Sequence, residues 1–303
     1  MVNDLDIVIT TFNVKDLLLD CLKSVFDTKG KGDDWNVIVI DNASTDGTAR
    51  AVKEKYPDVK IIANNENLGF AKGNNLAKKI AHAQNVLFLN PDTKITDKVI
   101  QKTLKILEEK KEIAAVGCRV MLPNGKIDYS CHRGLPTIWN TFSYWSGLSK
   151  LFPKSKTFAG YTATYLDYGK SSEIDCVSGT YLLIRRTVLD EINWWDEDYF
   201  WNGEDIELCY QIKKHGMKIW YDASSEIVHF KGSSSGLWKT AAVKVPRETS
   251  LKAARSAARV MNIFVRKHWR ELGPAPLIAL VWLGILLLEK FRIAKLKLGL
   301  KHA

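Results

Sequence analysis

The stretch that decides the fold is Val39-Ile40-Asp41-Asn42-Ala43-Ser44-Thr45-Asp46-Gly47-Thr48. An apolar run ends in the carboxylate of Asp41, and a turn of Asn, Ser and Thr residues then leads into a helical pattern whose N-cap is Ser44 or Thr45. A carboxylate at the end of a buried strand can accept hydrogen bonds from a base edge or a ribose hydroxyl. A simple capping turn is the alternative interpretation, because Asx turns are common.

Short apolar runs alternate with helical patterns on both sides of this stretch. Alternation at this spacing is typical of βαβ units, and it predicts an α/β fold with a Rossmann-like, mostly parallel sheet and helices on both faces. Strands are predicted over 6–10, 36–41, 60–64, 85–90 and 114–121, and helices over 15–27, 46–56, 70–82 and 97–110.

Polar or small residues follow the first four predicted strands. Because such sheets bind ligands beyond the carboxyl ends of their strands, we expect these residues to face one rim. They are Thr11-Phe12-Asn13, Asp41-Asn42-Ala43-Ser44, Asn64-Asn65-Glu66-Asn67 and Asn90-Pro91-Asp92-Thr93.

The pattern weakens over residues 122–173, where aromatic residues stand among Gly, Ser and Thr. We interpret this segment as a long excursion or a mobile flap over the site. A regular secondary-structure pattern is again visible over 174–186. A helix is then predicted from Glu204-Asp205 to Gly216, followed by a strand pair over 218–221 and 226–229. The predicted domain spans 1–238, with a first half over 1–121 and a second half over 122–238.

Positive charge is concentrated in the C-terminal extension, residues 239–303. The whole chain has 44 Lys or Arg and 34 Asp or Glu. The extension holds 14 Lys or Arg and three acidic residues, a net charge of +11. The rest of the chain holds 30 basic and 31 acidic residues, a net charge of −1. Such asymmetry predicts an anionic partner for the extension, either lipid head groups or nucleic acid.

The order of segments within the extension favours lipid. A basic helical stretch over 248–269 and a Gly-Pro break at 273–276 precede an uncharged apolar run over 277–288. That run is shorter than the about 20 apolar residues of a membrane-spanning helix, and a basic amphipathic continuation follows it. We predict a monotopic anchor at the cytoplasmic face of the cell membrane, bound to anionic lipids. A core helix or a dimer seam in a homo-oligomer is the alternative.

Cysteine usage agrees with a reducing compartment. The five cysteines are scattered and form no C-x-x-C pair, which indicates free thiols. The acidic start of the chain leads directly into a predicted strand, so we expect no secretory signal.

Four motifs in fixed order carry a family resemblance. They are Ile7-Val8-Ile9-Thr10-Thr11-Phe12-Asn13, the stretch 39–47, Asn65-Glu66-Asn67-Leu68-Gly69-Phe70-Ala71-Lys72-Gly73-Asn74-Asn75, and Phe88-Leu89-Asn90-Pro91-Asp92-Thr93. Over roughly residues 4–237 the chain resembles family 2 glycosyltransferases of the GT-A fold. It resembles in particular the bacterial rhamnosyltransferase-like branch that builds cell-surface polysaccharides.

The resemblance implies a nucleotide diphosphate sugar as donor. Asp41 would lie towards the base or ribose, and the glycines would allow close approach of the backbone. Lys72 is a phosphate contact or, equally well, a solvated surface residue. The implied donor-binding residues are Thr11, Asn13, Asp41, Asp46, Asn67, Gly69, Lys72, Gly73, Asn74, Asp92 and Gly179.

The resemblance also implies a divalent cation, Mg²⁺ or Mn²⁺. Asn90-Pro91-Asp92 stands where many relatives have Asp-x-Asp, so one carboxylate is replaced by an amide and Asp92 supplies the other. His229 resembles the family's late histidine, which completes the metal site. For a lone histidine at a strand end, a hydrogen-bonded structural role is the alternative. The Gly/Ser run that follows, 232–236, would close over the diphosphate.

Inversion at the sugar requires a base that takes the proton of the acceptor hydroxyl. The resemblance assigns this role to Asp205, with Glu204 shaping the acceptor site or orienting the base. Both acids would otherwise only complement the helix dipole. Trp201, Glu204 and Thr180 are the implied acceptor-binding residues. Trp194, Trp195 and Trp201 could each stack on a sugar or acceptor face or, equally well, lie in the core.

The predicted function is inverting transfer of a hexose, with rhamnose as the first guess, to a saccharide or polyprenyl-linked acceptor. A catalytically inactive membrane scaffold is the alternative. Binding of nucleic acid is disfavoured because the basic extension contains a long apolar run.

Overall fold

A computed structural model describes residues 4–230 and 247–297 of the chain. The first half follows the predicted alternation of strands and helices. Its elements are β1 (Leu5–Thr11), α1 (Lys15–Thr28), β2 (Trp35–Asp41), α2 (Thr48–Lys55), β3 (Lys60–Ala63), α3 (Phe70–Asn75), a 3₁₀ turn (Leu76–Lys79), β4 (Asn85–Leu89), β5 (Thr93–Ile95), α4 (Val99–Glu109) and β6 (Ile113–Met121).

The second half has shorter strands and two long C-terminal helices. Its elements are a 3₁₀ turn (Tyr129–Cys131), β7 (His132–Arg133), α5 (Ile138–Trp145), α6 (Leu148–Leu151), β8 (Ser172–Ile174), β9 (Cys176–Val177), β10 (Tyr181–Arg185), α7 (Arg186–Glu191), α8 (Glu204–Lys214), β11 (Lys218–His229), α9 (Arg247–Leu272) and α10 (Ala275–Lys297).

The main sheet is mixed rather than mostly parallel. Its order is β3-β2-β1-β4-β10-β6-β11-β5, with β8 also paired to β11. The first four strands are parallel, as predicted, and so are β6 and β11. However, β10 lies antiparallel between β4 and β6, and β5 and β8 are antiparallel to β11. The expectation failed because chain alternation indicates local βαβ units and carries no information on a strand inserted from far along the sequence.

Each face of the sheet is covered by helices, as predicted. Alternate strand residues point to opposite faces, so Ile7 and Ile9 of β1 are buried beneath α1 and α4 whereas Val8 faces the other layer. That second layer contains residues of α3, α7 and α8. Trp194 and Trp195 lie in it, at 3% and 2% exposure, with their rings edge-on to Phe88. The suggestion that these two tryptophans stack on a sugar is therefore wrong.

Three further predictions of local structure need correction. The predicted helix over 70–82 is an α-helix only to Asn75 and then a 3₁₀ turn. The last strand pair is one strand, β11, with a bulge between Asp222 and Glu226. The α2 N-cap is Gly47 in the left-handed region, at φ 82°, rather than Ser44 or Thr45.

The segment 122–173, expected to be an excursion or flap, contains β7, α5 and α6. It packs against the C-terminal helices through Ile138 and Trp145, which join a cluster with Val265, Ile278 and Ile285. Helix α9 in turn packs on α8 of the main domain, where Phe264 contacts Tyr210. Within the described part of the chain, no helix is long and apolar enough to cross a membrane.

Candidate active site

The carboxyl ends of β1 and β2 form the first part of the site. Thr11 pairs with Asp41 across the two parallel strands, and both are buried. Asp41 accepts the backbone N–H of Ser44 at 3.0 Å, and Asn13 accepts the N–H of Thr45 at 2.8 Å. The Thr11 hydroxyl is buried without a hydrogen-bond partner, which leaves one polar group at the rim for a ligand.

Asp46 lies in the same loop, but its contacts explain it as a capping residue. One carboxylate oxygen accepts the N–H of Lys15 at 3.0 Å, and the other accepts the N–H of Thr48 at 3.1 Å. These residues begin α1 and α2. Burial acts to raise the pKa of Asp46, but hydrogen bonds from Thr48 and Lys15 outweigh it and lower the pKa. The nucleoside-pocket role of Asp46 stays a prediction.

The segment from Asn67 to Asn74 is held against the rim by hydrogen bonds. Asn42 donates to the Gly69 carbonyl at 2.9 Å, and Phe70 donates its N–H to the Phe200 carbonyl at 2.9 Å. Gly69 has φ 79°, and a Cβ there would lie 2.4 Å from the Phe200 carbonyl oxygen. Only glycine fits this position, which joins the donor half to the loop before α8.

Other donor candidates in this segment have structural contacts as well. Gly73 packs against Thr10, with 3.0 Å between its ideal Cβ position and the threonine methyl group. Asn74 is buried and accepts the Thr10 hydroxyl at 3.0 Å. Asn67 accepts the N–H of Gly69 at 2.9 Å, and Lys72 is exposed. The structure thus places these residues beside the rim without deciding their contacts to a donor.

Asp92 and His229 meet at the same end of the sheet. Strand β5 pairs with β11 so that His229 is opposite Thr93, and Phe230 donates its N–H to the Asp92 carbonyl at 2.8 Å. His229 Nε2 therefore lies 3.2 Å from Asp92 Oδ1, with both residues buried. Asp92 follows the end of β4, which is the parallel neighbour of β1, the strand that ends at Thr11.

These two atoms fit a divalent cation. An octahedral Mg²⁺ has bonds of about 2.1 Å, so two neighbouring ligands at right angles are about 3.0 Å apart. The observed 3.2 Å agrees with that separation. Carboxylate oxygen and imidazole nitrogen are both ligand types that Mn²⁺ accepts. Asp92 and His229 are thus residues that could hold the ion.

Asp128 and Cys131 complete this cluster, and the sequence reasoning missed both. The Asp128 carboxylate faces His229 Nδ1 at 3.8 Å, and the Cys131 thiol donates to Asp128 at 3.4 Å. The ligand atoms of Asp128, Cys131 and His229 lie within 4.8 Å of one another. A metal-ligating histidine usually points its other ring nitrogen at a carboxylate, which is where Asp128 lies.

The position of Asp128 follows from a tight return of the chain after β6. Met121 forms a bridge with Ile127, and Asp128 donates its N–H to the Val120 carbonyl at 2.8 Å. Because β6 and β11 are parallel and Val228 pairs with Met121, this return lies beside His229. No pattern in the surrounding sequence predicts this return of the chain. Burial acts to lower the pKa of His229, but the neighbouring carboxylates of Asp128 and Asp92 raise it well above its ordinary value.

Asp205 and Glu204 begin α8, and both are buried. Arg133 of β7 donates to Asp205 at 2.9 Å, while the other carboxylate oxygen accepts the N–H of Ile206 at 2.9 Å. Arg133 lies two residues after Cys131. The segment from Asp128 to Arg133 thus reaches from His229 at one end to Asp205 at the other.

Glu204 has no comparable partner. One of its carboxylate oxygens is buried without a hydrogen bond. Burial raises the pKa of Glu204 to about 8, and the neighbouring Asp205 carboxylate contributes in the same direction. A buried acid with a raised pKa, next to a second acid fixed by an arginine, is an arrangement typical of active sites.

The predicted acceptor residues surround this point. Thr180 donates its N–H to the Ser178 hydroxyl at 3.0 Å and receives the N–H of Asn90 at its carbonyl, so it bridges the two halves of the site. Gly179 is in close contact with Phe70, 3.0 Å from its ideal Cβ position, which is a packing role. Trp201 is half-buried in the loop before α8. The predicted 232–236 loop lies outside the described residues.

Helix α9 fixes the far side of α8. His268 Nε2 lies 3.0 and 2.9 Å from the two carboxylate oxygens of Glu207, and Tyr199 donates to the same carboxylate at 3.1 Å. Gly203, at φ 86°, packs so closely that a Cβ would lie 2.2 Å from Val260. The C-terminal extension therefore forms part of the support of the two acids, which its sequence did not suggest.

Polar groups at the ends of β1 and β2, a carboxylate–imidazole pair with a spacing that fits a divalent cation, and two buried acids are features of an enzyme active site. The sequence profile of glycosyl transferase family 2 matches residues 6–193. That match covers more than half of the chain, so the chain belongs to glycosyl transferase family 2. The match ends before Glu204, Asp205 and His229, whose roles stay predictions.

Individual relatives and solved structures agree with the family resemblance. The chain is 27% identical over 212 residues to an N-acetylglucosaminyl-diphospho-decaprenol L-rhamnosyltransferase of Mycobacterium tuberculosis, covering 66% of this chain and 68% of that protein. It is 22% identical over 221 residues to a rhamnosyltransferase of Escherichia coli, covering 70% of this chain and 79% of that protein. A mannosyltransferase from Pyrobaculum calidifontis, solved with GDP-Man and Mn²⁺, superposes with a TM-score of 0.59 at 17% identity, covering 97% of this chain and 75% of that chain. That structural likeness confirms the GT-A-like fold.

Proposed function

We propose that this family 2 glycosyltransferase is an inverting enzyme that depends on Mg²⁺ or Mn²⁺. It moves a hexose from a nucleotide diphosphate donor to a saccharide or polyprenyl-linked acceptor in the synthesis of a cell-surface polysaccharide. The observation that carries the proposal is the contact of Asp92 with His229 at 3.2 Å, just beyond the end of β4, the parallel neighbour of β1.

The donor's nucleoside would bind at the ends of β1 and β2, where Asp41 and the unpartnered Thr11 hydroxyl offer polar contacts. Its diphosphate would lie next to Asp92 and His229. The bound cation supplies positive charge that offsets the charge developing on the leaving diphosphate. Asp128 orients the His229 ring from the opposite side.

Transfer is a single displacement at the anomeric carbon. The acceptor hydroxyl oxygen forms a bond to that carbon, the bond to the diphosphate oxygen breaks, and the hydroxyl proton passes to Asp205. Arg133 holds one oxygen of Asp205, so the carboxylate keeps a fixed direction. Glu204, which has a raised pKa, would line the acceptor site beside it.

The sugar and acceptor are proposed from the relatives. Two relatives are named as rhamnosyltransferases, and one of them is named for a decaprenol-linked substrate. Rhamnose on a polyprenyl diphosphate-linked saccharide is therefore our first assignment. A thermal-shift panel of nucleotide sugars with Mn²⁺ tests it, because a bound donor stabilises the fold by mass action. A chain that no nucleotide sugar stabilises would contradict the transferase proposal itself.

The base is tested with Asp205→Asn. Loss of a general base costs roughly 10²–10⁴-fold in rate, so we expect transfer to fall at least that far while the donor still binds in the thermal-shift assay. The matched control is Asp27→Asn, at an exposed ion pair with Lys23 of α1, which should retain full transfer. Full activity of Asp205→Asn would refute the assignment without affecting the family membership.

A further inference from the structure

Helix α10 has one face buried in the protein and exposes several large apolar side chains on its other faces. Ile278 and Ile285, two turns apart, are each 1% exposed and pack in the cluster with α5 and α9. The contact runs along the helix, so α10 lies against the body of the protein. Its outward side exposes a stripe at helical spacing, made of Leu280, Leu283, Leu287 and Phe291, at 63%, 52%, 58% and 62% exposure.

Helix α5 runs beside α10 and adds a second apolar strip. The Trp145 ring lies 2.9 Å from the ideal Cβ position of Gly284, and Ile138 lies equally close to that of Gly273. Phe142, one turn after Ile138, is therefore on the side of α5 next to α10, and it is 53% exposed. We call the stripe of α10 together with Trp139, Phe142, Leu151 and Phe152 the apolar surface.

The apolar surface is larger than a scatter of single residues. Trp139 and Phe142 have ring centroids 5.7 Å apart, and both Trp139 and Phe152 contact the Phe158 ring. Contiguous apolar surface on this scale marks a site of interaction with a protein or a membrane.

The charges around the apolar surface decide between a protein partner and a membrane. Residues 129–166 contain no Asp or Glu, and Lys150, Lys154 and Lys156 are exposed beside Leu151 and Phe152. A symmetric contact between two copies would bring the same patch, and hence the same positive charges, face to face. Anionic lipid head groups, in contrast, attract each such lysine.

We propose that the apolar surface lies in the interfacial layer of a membrane that carries anionic lipids, with α5, the segment 148–158 and α10 embedded together. The sequence predicted an anchor in the extension alone. The structure adds a second, distant segment of the chain to it, packed against α10 through Ile138 and Trp145. The proposal is independent of the transfer reaction.

Co-sedimentation of the full chain with vesicles tests the proposal. We expect binding to vesicles of equal parts phosphatidylcholine and phosphatidylglycerol and much weaker binding to phosphatidylcholine alone. Replacing Lys150, Lys154 and Lys156 together with Gln should weaken binding about a hundredfold, at about one kcal/mol per lysine. The matched control replaces Lys53, Lys55 and Lys60, which are exposed at the β3 edge, and should bind like the parent.

The contribution of α5 is tested separately, because it is the new element. Phe142→Ser should weaken vesicle binding about tenfold, as expected for one large side chain withdrawn from lipid. All five native cysteines are buried, so a polarity-sensitive dye can be attached to Phe142→Cys or Leu287→Cys. Both dyes should shift to the blue on addition of the anionic vesicles, whereas a dye on Lys53→Cys should not.

Three outcomes would overturn the proposal. One is a parent chain that does not sediment with the anionic vesicles. Another is a dye at residue 142 that stays in water while the dye at 287 enters lipid. The third is a stable dimer, in the absence of vesicles, that Leu283→Ser and Phe142→Ser dissociate. A cooperative thermal unfolding transition at the parent's temperature shows that each variant folds. Vesicle binding without any sugar transfer would contradict only the proposed function.

Discussion

Glu204 should make the protein less stable as the pH rises, and Glu204→Gln should remove that effect. The unfolded chain ionises this carboxyl near the ordinary glutamate pKa of 4.5, whereas burial raises the pKa in the folded state to about 8. Between these values the unfolded state loses a proton that the folded state keeps. Stability is therefore fully present below pH 4.5 and is lost progressively up to about pH 8.

The magnitude follows from that interval. At about 1.4 kcal/mol per pH unit, the span from 4.5 to about 8 corresponds to about 5 kcal/mol. Because Gln has nearly the same shape and carries no charge, we expect Glu204→Gln to unfold at higher urea concentration than the parent at pH 8 and at a similar concentration at pH 5. The measurement is urea unfolding across this pH range, without donor or added cation.

Glu207→Gln is the matched control, three residues further along the same helix. Burial acts to raise the pKa of Glu207, but hydrogen bonds from His268 and Gln211 outweigh it and lower the pKa. Its ionised form therefore stabilises the fold at neutral pH, and that stability is lost as the pH falls through the folded-state pKa. Glu207→Gln should destabilise at pH 7. Equal pH dependence of the parent and Glu204→Gln would refute the reasoning.

Three further predictions concern the rest of the site. Asp128→Asn should weaken Mn²⁺ binding about 10–100-fold by calorimetry, because His229 loses its orienting carboxylate; unchanged affinity would exclude Asp128 from the metal site. Arg133→Met should lower kcat by up to about 100-fold, because Asp205 loses the contact at 2.9 Å that fixes its direction; an unchanged kcat would contradict the positioning role of this ion pair. Gly69→Ala should lower stability by about 2–4 kcal/mol and weaken donor binding, because its Cβ meets a backbone oxygen at φ 79°; a variant as stable as the parent by urea unfolding would show that this contact is absent.

The local parts of the fold could be predicted from the sequence. Strands β1, β2 and β4 are short apolar runs followed by polar turns, and their parallel pairing follows from the helices between them. The same reasoning predicted that the strand-end residues Thr11 and Asp41 lie at one rim of the sheet. The order of β10, β6 and β11 could not be predicted, since each pairing joins residues distant in the chain.

Some residues of the site could also be predicted from the sequence, and others could not. Asp92, His229, Glu204 and Asp205 were proposed through the family resemblance, and in the structure the segment from Asp128 to Arg133 reaches from His229 to Asp205. Asp128 was missed because its place depends on how the chain returns after β6. A single Asp in an irregular segment carries no periodic signal. Sequence patterns report repeated local geometry, and a contact made once between distant segments leaves no trace in them.

The contact of α9 with α8 has a practical consequence for anyone who shortens this protein. A truncation placed after β11, where the sheet is complete, would leave the Glu207 carboxylate without His268 and uncover Gly203. Removing the hydrogen-bond partner of a buried group costs about 1–3 kcal/mol, and more where the group is charged, which is a large share of the stability of an ordinary domain. The fragment that looks like the minimal catalytic unit would thus be a damaged one, and inactivity of such a fragment would say nothing about the chemistry of the whole chain.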